Sequence, residues 1–273
     1  MKKQFGFTLV EVMIAGVIGI FLMTGIINLF ITTNKSVGLT DGISQNQEAG
    51  RFAMDYLTQF VRSAGYSEDF TKFTPALMRE SLNISCSGDA AAACAANNPP
   101  GIRGDRLSIP VTASTTTATS SCSGATIGGP GNPSEITNVF WVSDDNDSIR
   151  ELRCRTWNRA DEEWLDSGAV SIVGNIEHME FQVGVADDAD DRHAAKYVNM
   201  NSTFTNDLVR SIRISILTTS QDSSKEDKQF SNKSAREYGI LDGPSFTITD
   251  SNIRNIFTST IELPNLINTS RGN

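Results

Sequence analysis

The chain has 273 residues, of which 39% are hydrophobic and 20% charged, and its formal net charge is −9. This length leaves room for one sizeable core in addition to a membrane segment. The acidic balance argues against direct electrostatic binding of nucleic acid, because such binding needs clustered Lys and Arg.

The first predicted element is an apolar helix at the amino terminus. An uncharged run of twenty residues extends from Val12 to Ile31, long enough to cross a bilayer core of about 30 Å at 1.5 Å per residue. Glu11 lies at the edge of this run, where an unpartnered carboxylate costs on the order of 3 kcal/mol. Lys2 and Lys3 precede it, which predicts a cytoplasmic amino terminus and an exported remainder.

A secretory signal peptide explains this segment poorly. The apolar run is longer than the hydrophobic region of a signal peptide, and no Ala-x-Ala site lies between Asn28 and Gly38. A cut after Gly6 would instead remove both lysines and leave the helix on the mature chain, with a new amine at Phe7. Glu11 lies one helical turn further on, so the amine and the carboxylate can neutralise each other within one chain or between neighbouring chains.

The stretch Gly6-Phe7-Thr8-Leu9-Val10-Glu11 resembles the cleavage and methylation motif of type IV prepilins and of the related pseudopilins of type II secretion. In that family an inner-membrane peptidase cuts after the glycine and methylates the new terminus, and the glutamate pairs with a neighbour's terminal amine during assembly. The resemblance therefore implies leader cleavage between Gly6 and Phe7, N-methylation of Phe7, and a role in subunit assembly for Glu11. Without its two leader lysines the chain has 21 basic and 32 acidic residues, a net charge of −11.

The apolar helix is predicted to continue as an amphipathic helix to about Ala64, with Gly65 as its C-cap. Apolar residues recur with a helical period from Ala49 to Ala64, and we expect this face to pack on the domain's own sheet. The segments 48–53 and 62–66 resemble the end of the helix in PilW-type minor pilins. The segment 256–261 is similar to the closing strand of the same group.

A period of two follows, which is typical of half-buried strands. The expected strands are Arg106–Val111, Asn138–Val142, 152–156, 179–185, 212–216 and Phe257–Leu263. They predict one antiparallel sheet of about six strands with a face on the helix, and the fold class is therefore α+β and pilin-like.

These elements predict four segments along the chain. They are a leader at 1–6, a transmembrane half of the helix at 7–32, an amphipathic half at 33–65 and a β-rich globular domain at 66–273. Three long polar loops, 85–104, 112–134 and 220–237, are expected to bury little apolar surface. Loops of this length are functional or mobile, and we favour a mobile surface for 112–134.

The four cysteines lie in the part of the chain predicted to be exported, where disulfides persist. A zinc site is less favoured because the chain has no Cys-x-x-Cys pair and its two histidines lie far from the cysteines in sequence. Of the three possible pairings, Cys86 with Cys94 and Cys122 with Cys154 closes the shortest loops.

Acidic clusters at 144–147 and 187–191 suggest calcium ligands, the second with Asp187, Asp188, Asp190 and Asp191. The EF-hand order of ligands, central glycine and closing glutamate is missing in both, so a solvated acidic turn is favoured. Because some pseudopilins bind calcium in such loops, the resemblance keeps a calcium site at Asp187–Asp191 as the minority hypothesis. The sequence contains no Gly-x-Ser-x-Gly elbow and no phosphate-binding glycine loop, and we expect neither enzyme activity nor a cofactor.

The resemblance implies a minor pilin that takes part in priming and assembling a type IV pilus and sits at or near its tip. Its expected partners are other minor pilins, the major pilin, the prepilin peptidase, the inner-membrane assembly platform and a tip adhesin. Its expected location is the inner membrane before assembly and the fibre afterwards. A J-type pseudopilin of type II secretion and a tip adhesin remain the alternatives.

Overall fold

The computed structural model describes residues 8–67, 74–79, 86–144, 150–220, 235–250 and 252–267. The chain divides into two compact units, Met1–Ser44 and Gln45–Asn273. Helix α1, Leu9–Arg62, supplies the described helical part of the first unit and the opening element of the second. Gly65 has a left-handed φ of +74° three residues after α1 ends, and a Cβ there would lie 2.5 Å from Leu266, so both backbone and packing require glycine.

The described residues of the second unit form thirteen strands and a helical turn. The strands are β1 (Leu107–Thr112), β2 (Ala118–Ser120), β3 (Thr126–Gly128), β4 (Glu135–Val142), β5 (Glu151–Asn158), β6 (Glu163–Trp164), β7 (Val170–Gly174), β8 (Ile176–Val185), β9 (Lys196–Val198), β10 (Val209–Thr219), β11 (Arg236–Tyr238), β12 (Phe246–Ile248) and β13 (Arg254–Glu262), followed by α2 (Pro264–Ile267). The strands that the alternating pattern predicts are all present, and the expected α+β class is confirmed.

These strands form two main sheets and not the single sheet that the sequence predicts. One sheet has the order β1-β4-β5-β6, with β7 also paired to β5, and the other has the order β13-β10-β8-β9. All ladders within them are antiparallel. The two-stranded ribbons β2-β3 and β11-β12 complete the described strands.

The change of sheet occurs between β7 and β8, at Asn175. This residue has φ of +64°, a conformation that asparagine tolerates better than most residues. The chain therefore turns sharply after Gly174, so β7 stays with β5 while β8 pairs with β10. Strand periodicity alone does not reveal such a turn, and this is why the expectation of one sheet was wrong.

The second half of α1 packs on these sheets as expected. Ala53, Leu57 and Val61 are fully buried and belong to one hydrophobic cluster with strands of both sheets. Phe52, Tyr56 and Phe60 stack at spacings of four residues, and the ring of Phe60 lies 5.5 Å from that of Phe140 in β4. The helical spacing of apolar residues in this half of α1 therefore corresponds to the face that packs on the sheets of the same unit.

Strands β8 and β10 are buried on both faces, whereas the sequence predicts half-buried strands. One face contributes Met179, Phe181 and Val183 to the main core. On the other face His178 and Glu180 are also buried, because residues of the β11-β12 ribbon lie against them: the ring of Phe246 is 4.9 Å from that of His178. Polar residues alternate along β8 as they would on an exposed strand, and the covering segment is far away in sequence.

Candidate functional site

The amino-terminal end of α1 is closed by a reciprocal cap between Thr8 and Glu11. The Glu11 amide donates to Thr8 Oγ1 at 3.3 Å, and the Thr8 amide donates back to Glu11 Oε2 at 3.3 Å. The Thr8 hydroxyl donates to the same carboxylate oxygen at 3.2 Å. Thr8 is thus the N-cap and Glu11 the N3 residue of a capping box.

This cap gives Glu11 a local role in addition to the assembly role that the resemblance implies. Amide groups at a helix end have no partner within the helix, and such groups are costly to leave unpaired in a membrane. The spacing of Thr8 and Glu11 is the Ser/Thr-x-x-Glu signature, so the sequence did contain the signal. Gly6 and Phe7 lie outside the described residues, and their roles in cleavage and methylation stay predictions.

Beyond the cap, α1 presents an apolar surface with no partner among the described residues of its own unit. The helix contains a window long and apolar enough to cross a membrane, and none of that window is buried. Large apolar side chains such as Phe21 and Leu29 are 82% and 68% exposed. This surface needs lipid or other helices to cover it.

In the second unit, α1 is flanked by two open grooves. One lies between the helix and β7 and is lined by Glu48, Phe52 and Val173 among others. The other lies between the helix and β13 and is lined by Arg51, Met54 and Phe257 among others. The Phe52 side chain remains 50% exposed at the first groove.

The four cysteines form two disulfides, which confirms the expectation of disulfides over zinc. Cys86 bonds to Cys94 and Cys122 bonds to Cys154. The second bond holds the segment between β2 and β3 against β5, and the Tyr56 hydroxyl of α1 donates to the Cys122 carbonyl at 2.7 Å. Cys122 and Ile127 are buried, so the loop 112–134 contains a folded ribbon and core residues, contrary to the expectation that it buries little.

The other two polar loops are only partly covered by the structure. Within 85–104, a 3₁₀ helix at Gly88–Ala92 leads to the buried Ala93 and Cys94. Ser85 and residues 221–234 lie outside the described residues, so the expectation for 220–237 stays untested over most of its length.

The aspartates at 187–191 are all exposed, and their loop is organised by an internal cation. The buried guanidinium of Arg210 donates to the carbonyl oxygens of Ala189 and Asp191 at 2.7 and 2.6 Å. Among the residues that the structure describes, no three His, Cys, Asp or Glu side chains are placed to hold a metal ion. Two backbone carbonyl oxygens of this loop are therefore bound by arginine, and the calcium site stays a hypothesis.

Two family models match the chain at complementary positions. A model described as type IV pilus-assembly protein W matches residues 139–265, from within β4 to α2. A model described as the prokaryotic N-terminal methylation motif matches residues 1–27, which include the cap and the first turns of α1. Neither a curated protein nor a solved structure matches the chain.

Proposed function

We propose that this chain, a type IV pilin-like protein of the PilW type, is a minor pilin that primes assembly of a type IV pilus and sits at or near its tip. The pilin-like identity supports a structural protein associated with the pilus and with the inner membrane. The finer role and position are our proposal. The match to the type IV pilus-assembly protein W family favours a pilus over a secretion pseudopilin.

The observation that carries this proposal is the position of Glu11. Its carboxylate is exposed at the end of an uncovered apolar helix, and both capping hydrogen bonds that the carboxylate accepts go to Oε2. A carboxylate has about four acceptor positions, so a neighbouring subunit's terminal amine can bind without breaking the cap. Such a pairing, in a poorly solvated site, converts an isolated cost into an attraction between subunits.

In this mechanism each part of the chain has one task. Cleavage after Gly6 supplies the amine at Phe7, and Glu11 receives the amine of another subunit. The apolar half of α1 packs among other pilin helices once it leaves the lipid. The sheet unit then makes lateral contacts with other minor pilins, and the chain acts by association.

The experiment must separate the charge of Glu11 from its role as a cap. Glu11→Gln keeps an acceptor for the Thr8 amide but removes the negative charge, whereas Thr8→Val removes the hydroxyl but keeps the carboxylate. We expect Glu11→Gln and Glu11→Leu to be inserted and processed normally, to lose co-purification with other minor pilins, and to lower piliation. Thr8→Val should retain both functions in large part.

Two results would contradict this role. If the Glu11→Gln variant assembles normally, the Glu11 carboxylate serves only as a helix cap. If Thr8→Val and Glu11→Gln are equally defective, the structure of the helix end, and not the charge, controls assembly.

The position in the fibre is tested separately by counting the copies of this subunit in sheared pili of different mean length. The number of copies of a tip subunit per fibre is independent of fibre length, whereas the number of copies of a subunit inserted along the shaft increases with length.

A further inference from the structure

Three titratable side chains without an assigned role meet behind the main core of the second unit. His178 and Glu180 are two residues apart on one face of β8, and Asp105 precedes β1. Their exposed fractions are 8%, 0% and 1%. Burying such groups is costly unless each is paired or neutral.

Asp105 joins the two main sheets. Its Oδ2 accepts the Phe181 amide of β8 at 2.9 Å, and its Oδ1 accepts the Asn98 amide at 2.9 Å. Its own amide donates to the Met179 carbonyl at 2.7 Å. This close approach requires Gly104, where φ is +84° and a Cβ would lie 2.0 Å from the Met179 oxygen.

Glu180 has one oxygen paired with His178 and one buried without a hydrogen bond of good geometry. Oε1 lies 2.7 Å from His178 Nε2, whereas Oε2 makes no such bond among the described residues, although the Asn98 side chain is close enough to act on the carboxyl by hydrogen bonding. The neighbouring group is the Asp105 carboxyl, which is within hydrogen-bonding reach of Glu180. Two ionised carboxylates are acceptors only, so this contact is favourable only when a proton lies between them.

The β11-β12 ribbon closes the cluster from outside. A Cβ on Gly243, in the turn of the ribbon, would lie 2.4 Å from Glu180 Oε1. Phe246 stacks on His178 and also contacts Tyr238 at a ring distance of 6.2 Å. Ile240 is 2% exposed. The ribbon therefore separates the Glu180 carboxyl from water.

Charged groups from every neighbouring element act on the cluster. Asp242 in the ribbon turn faces Glu180, while Arg103, Arg150 and Glu177 act on His178. Glu177 is itself paired with Arg254 and Arg150. None of these cations is hydrogen-bonded to Asp105 or Glu180 in the described part of the chain, so the carboxyl pair has no cationic side chain bonded to it.

These surroundings shift the pKa values in opposite directions. Burial, with the negative charge of Glu180 adding to it, raises the pKa of Asp105 to about 8, although amide hydrogen bonds oppose the shift. Burial, supported by the charge of Asp242, raises the pKa of Glu180 to about 7, although hydrogen bonds from Asp105 and Asn98 oppose the shift. Burial lowers the pKa of His178 to about 4, so the imidazole is neutral at neutral pH.

We propose that Asp105 and Glu180 form a proton-operated latch, in which a shared proton fastens the β11-β12 ribbon over β8 and its loss releases the ribbon. Two negative charges in the dry site are unfavourable. Opening the ribbon admits water to both carboxylates. The latch is thus closed near neutral pH and opens as the surroundings become alkaline.

The direction follows from proton linkage. A carboxyl with a raised folded-state pKa contributes stability that is present at low pH and is lost as pH rises through that pKa. His178 acts oppositely, since its lowered pKa weakens the closed state as pH falls from about 6.5, the pKa of free histidine, towards 4. Above pH 6.5 the remaining effect of His178 on opening is only about twofold and has the opposite sign, so an increase in opening between pH 6.5 and 8 reports the carboxyl pair.

Hydrogen exchange read by mass spectrometry on the full chain in detergent micelles tests the latch. After correction for the intrinsic exchange rate, the opening constant of residues 236–248 should increase about tenfold between pH 6.5 and 7.5, for one proton released. Peptides covering β4 serve as the internal reference and should show no such change. A flat profile for 236–248 in the wild-type protein overturns the proposal without any variant.

Glu180→Gln supplies the matched test. Its amide can donate to Asp105 and accept from His178, as the protonated acid does, so the ribbon should remain protected at pH 8 and the slope should vanish. Asp187→Asn removes an exposed carboxylate of the same unit and should keep the wild-type slope. If Glu180→Gln keeps the wild-type slope, the proton resides elsewhere and the latch is refuted.

Discussion

The hydroxyl of Tyr56 in α1 donates a 2.7 Å hydrogen bond to the backbone carbonyl of Cys122. Cys122 is bonded to Cys154 in β5, so the helix, the β2-β3 ribbon and a sheet meet at one point. Phe140 of β4 completes the contact, with its ring 6.4 Å from that of Tyr56. The disulfide therefore fixes a surface on which the helix packs.

The two disulfides should differ in what they contribute. The sequence separation is 32 residues for Cys122–Cys154 and 8 for Cys86–Cys94. The chain-entropy relation gives about 3.7 and about 2.6 kcal/mol. We expect the double variant Cys122→Ser/Cys154→Ser to lose more stability in urea unfolding than Cys86→Ser/Cys94→Ser.

The helix contact provides the control for that comparison. Tyr56→Phe should cost about 1 kcal/mol, the net value of one hydrogen bond, in the disulfide-bonded protein. Its cost should shrink when Cys122 and Cys154 are already replaced, because the carbonyl acceptor is no longer held in place. Strictly additive losses would show that the hydrogen bond and the disulfide act independently.

A second prediction concerns Gly50, where α1 crosses β13. A Cβ at this position would lie 2.2 Å from the ring of Phe257. Gly50→Ala gains about 1 kcal/mol of helix propensity, but overpacking costs typically 1–3 kcal/mol. We expect a net loss in the free energy of unfolding.

Gly38 offers the matched control, since a Cβ there meets nothing within 4 Å. Gly38→Ala should therefore be neutral or slightly stabilising. Replacing Phe257 with Leu in the Gly50→Ala background should restore part of the loss, which a double-mutant cycle measures. If Gly50→Ala is as stable as the wild type, the helix can move away from β13 at little cost.

The sequence reveals those features whose cause is local. The apolar run, the helical period after Ala49 and the alternation in β8 and β10 each depend on neighbours in the chain, and the corresponding elements are present. Thr8 and Glu11 also carry a local signal, the Ser/Thr-x-x-Glu spacing of a capping box.

Features created by distant segments could not be predicted in the same way. Glu180 looks like an exposed strand residue until the ribbon containing Gly243 covers it. Asp105 gives no hint in sequence that its side chain accepts the Phe181 amide. The split into two sheets depends on one left-handed residue, Asn175, and its conformation is decided by the pairing of β7 and β8 with different partners.

A third prediction concerns leader removal, which rests on the resemblance of residues 6–11 to a prepilin cleavage motif. Gly6→Val should block cleavage, because the peptidase site would have to accommodate a branched side chain beside the scissile bond. Gly6→Ala adds only a methyl group and should be tolerated. Intact-mass measurement of membrane-extracted protein distinguishes precursor from mature chain. If the Gly6→Val variant still has the mass of the mature chain, the cleavage site does not lie after residue 6.

The last prediction concerns the buried ion-pair network around Arg254. Its guanidinium is 2% exposed, contacts both oxygens of Glu177, with Nη2 2.8 Å from Oε1, and binds Asp250. Burial lowers the pKa of Arg254, but the hydrogen bonds to Asp250 and Glu177 outweigh burial and raise it above the ordinary value. Arg254→Gln leaves Glu177 buried with Arg150 alone, so we expect a loss of about 3 kcal/mol in the free energy of unfolding.

Arg103→Gln is the control, because Arg103 pairs with Asp144 on the surface, with side chains 43% and 42% exposed. It should cost less than about 1 kcal/mol. The pH dependence gives a second readout, because the hydrogen bond to Arg254 lowers the pKa of Asp250. A carboxyl whose pKa is lower in the folded than in the unfolded chain stabilises the fold at pH values above its unfolded-state pKa. This stabilisation is lost as the pH falls through the folded-state pKa. The gap between wild type and Arg254→Gln should therefore narrow below about pH 4, and equal losses for the two arginine variants would contradict a buried, stabilising role for Arg254.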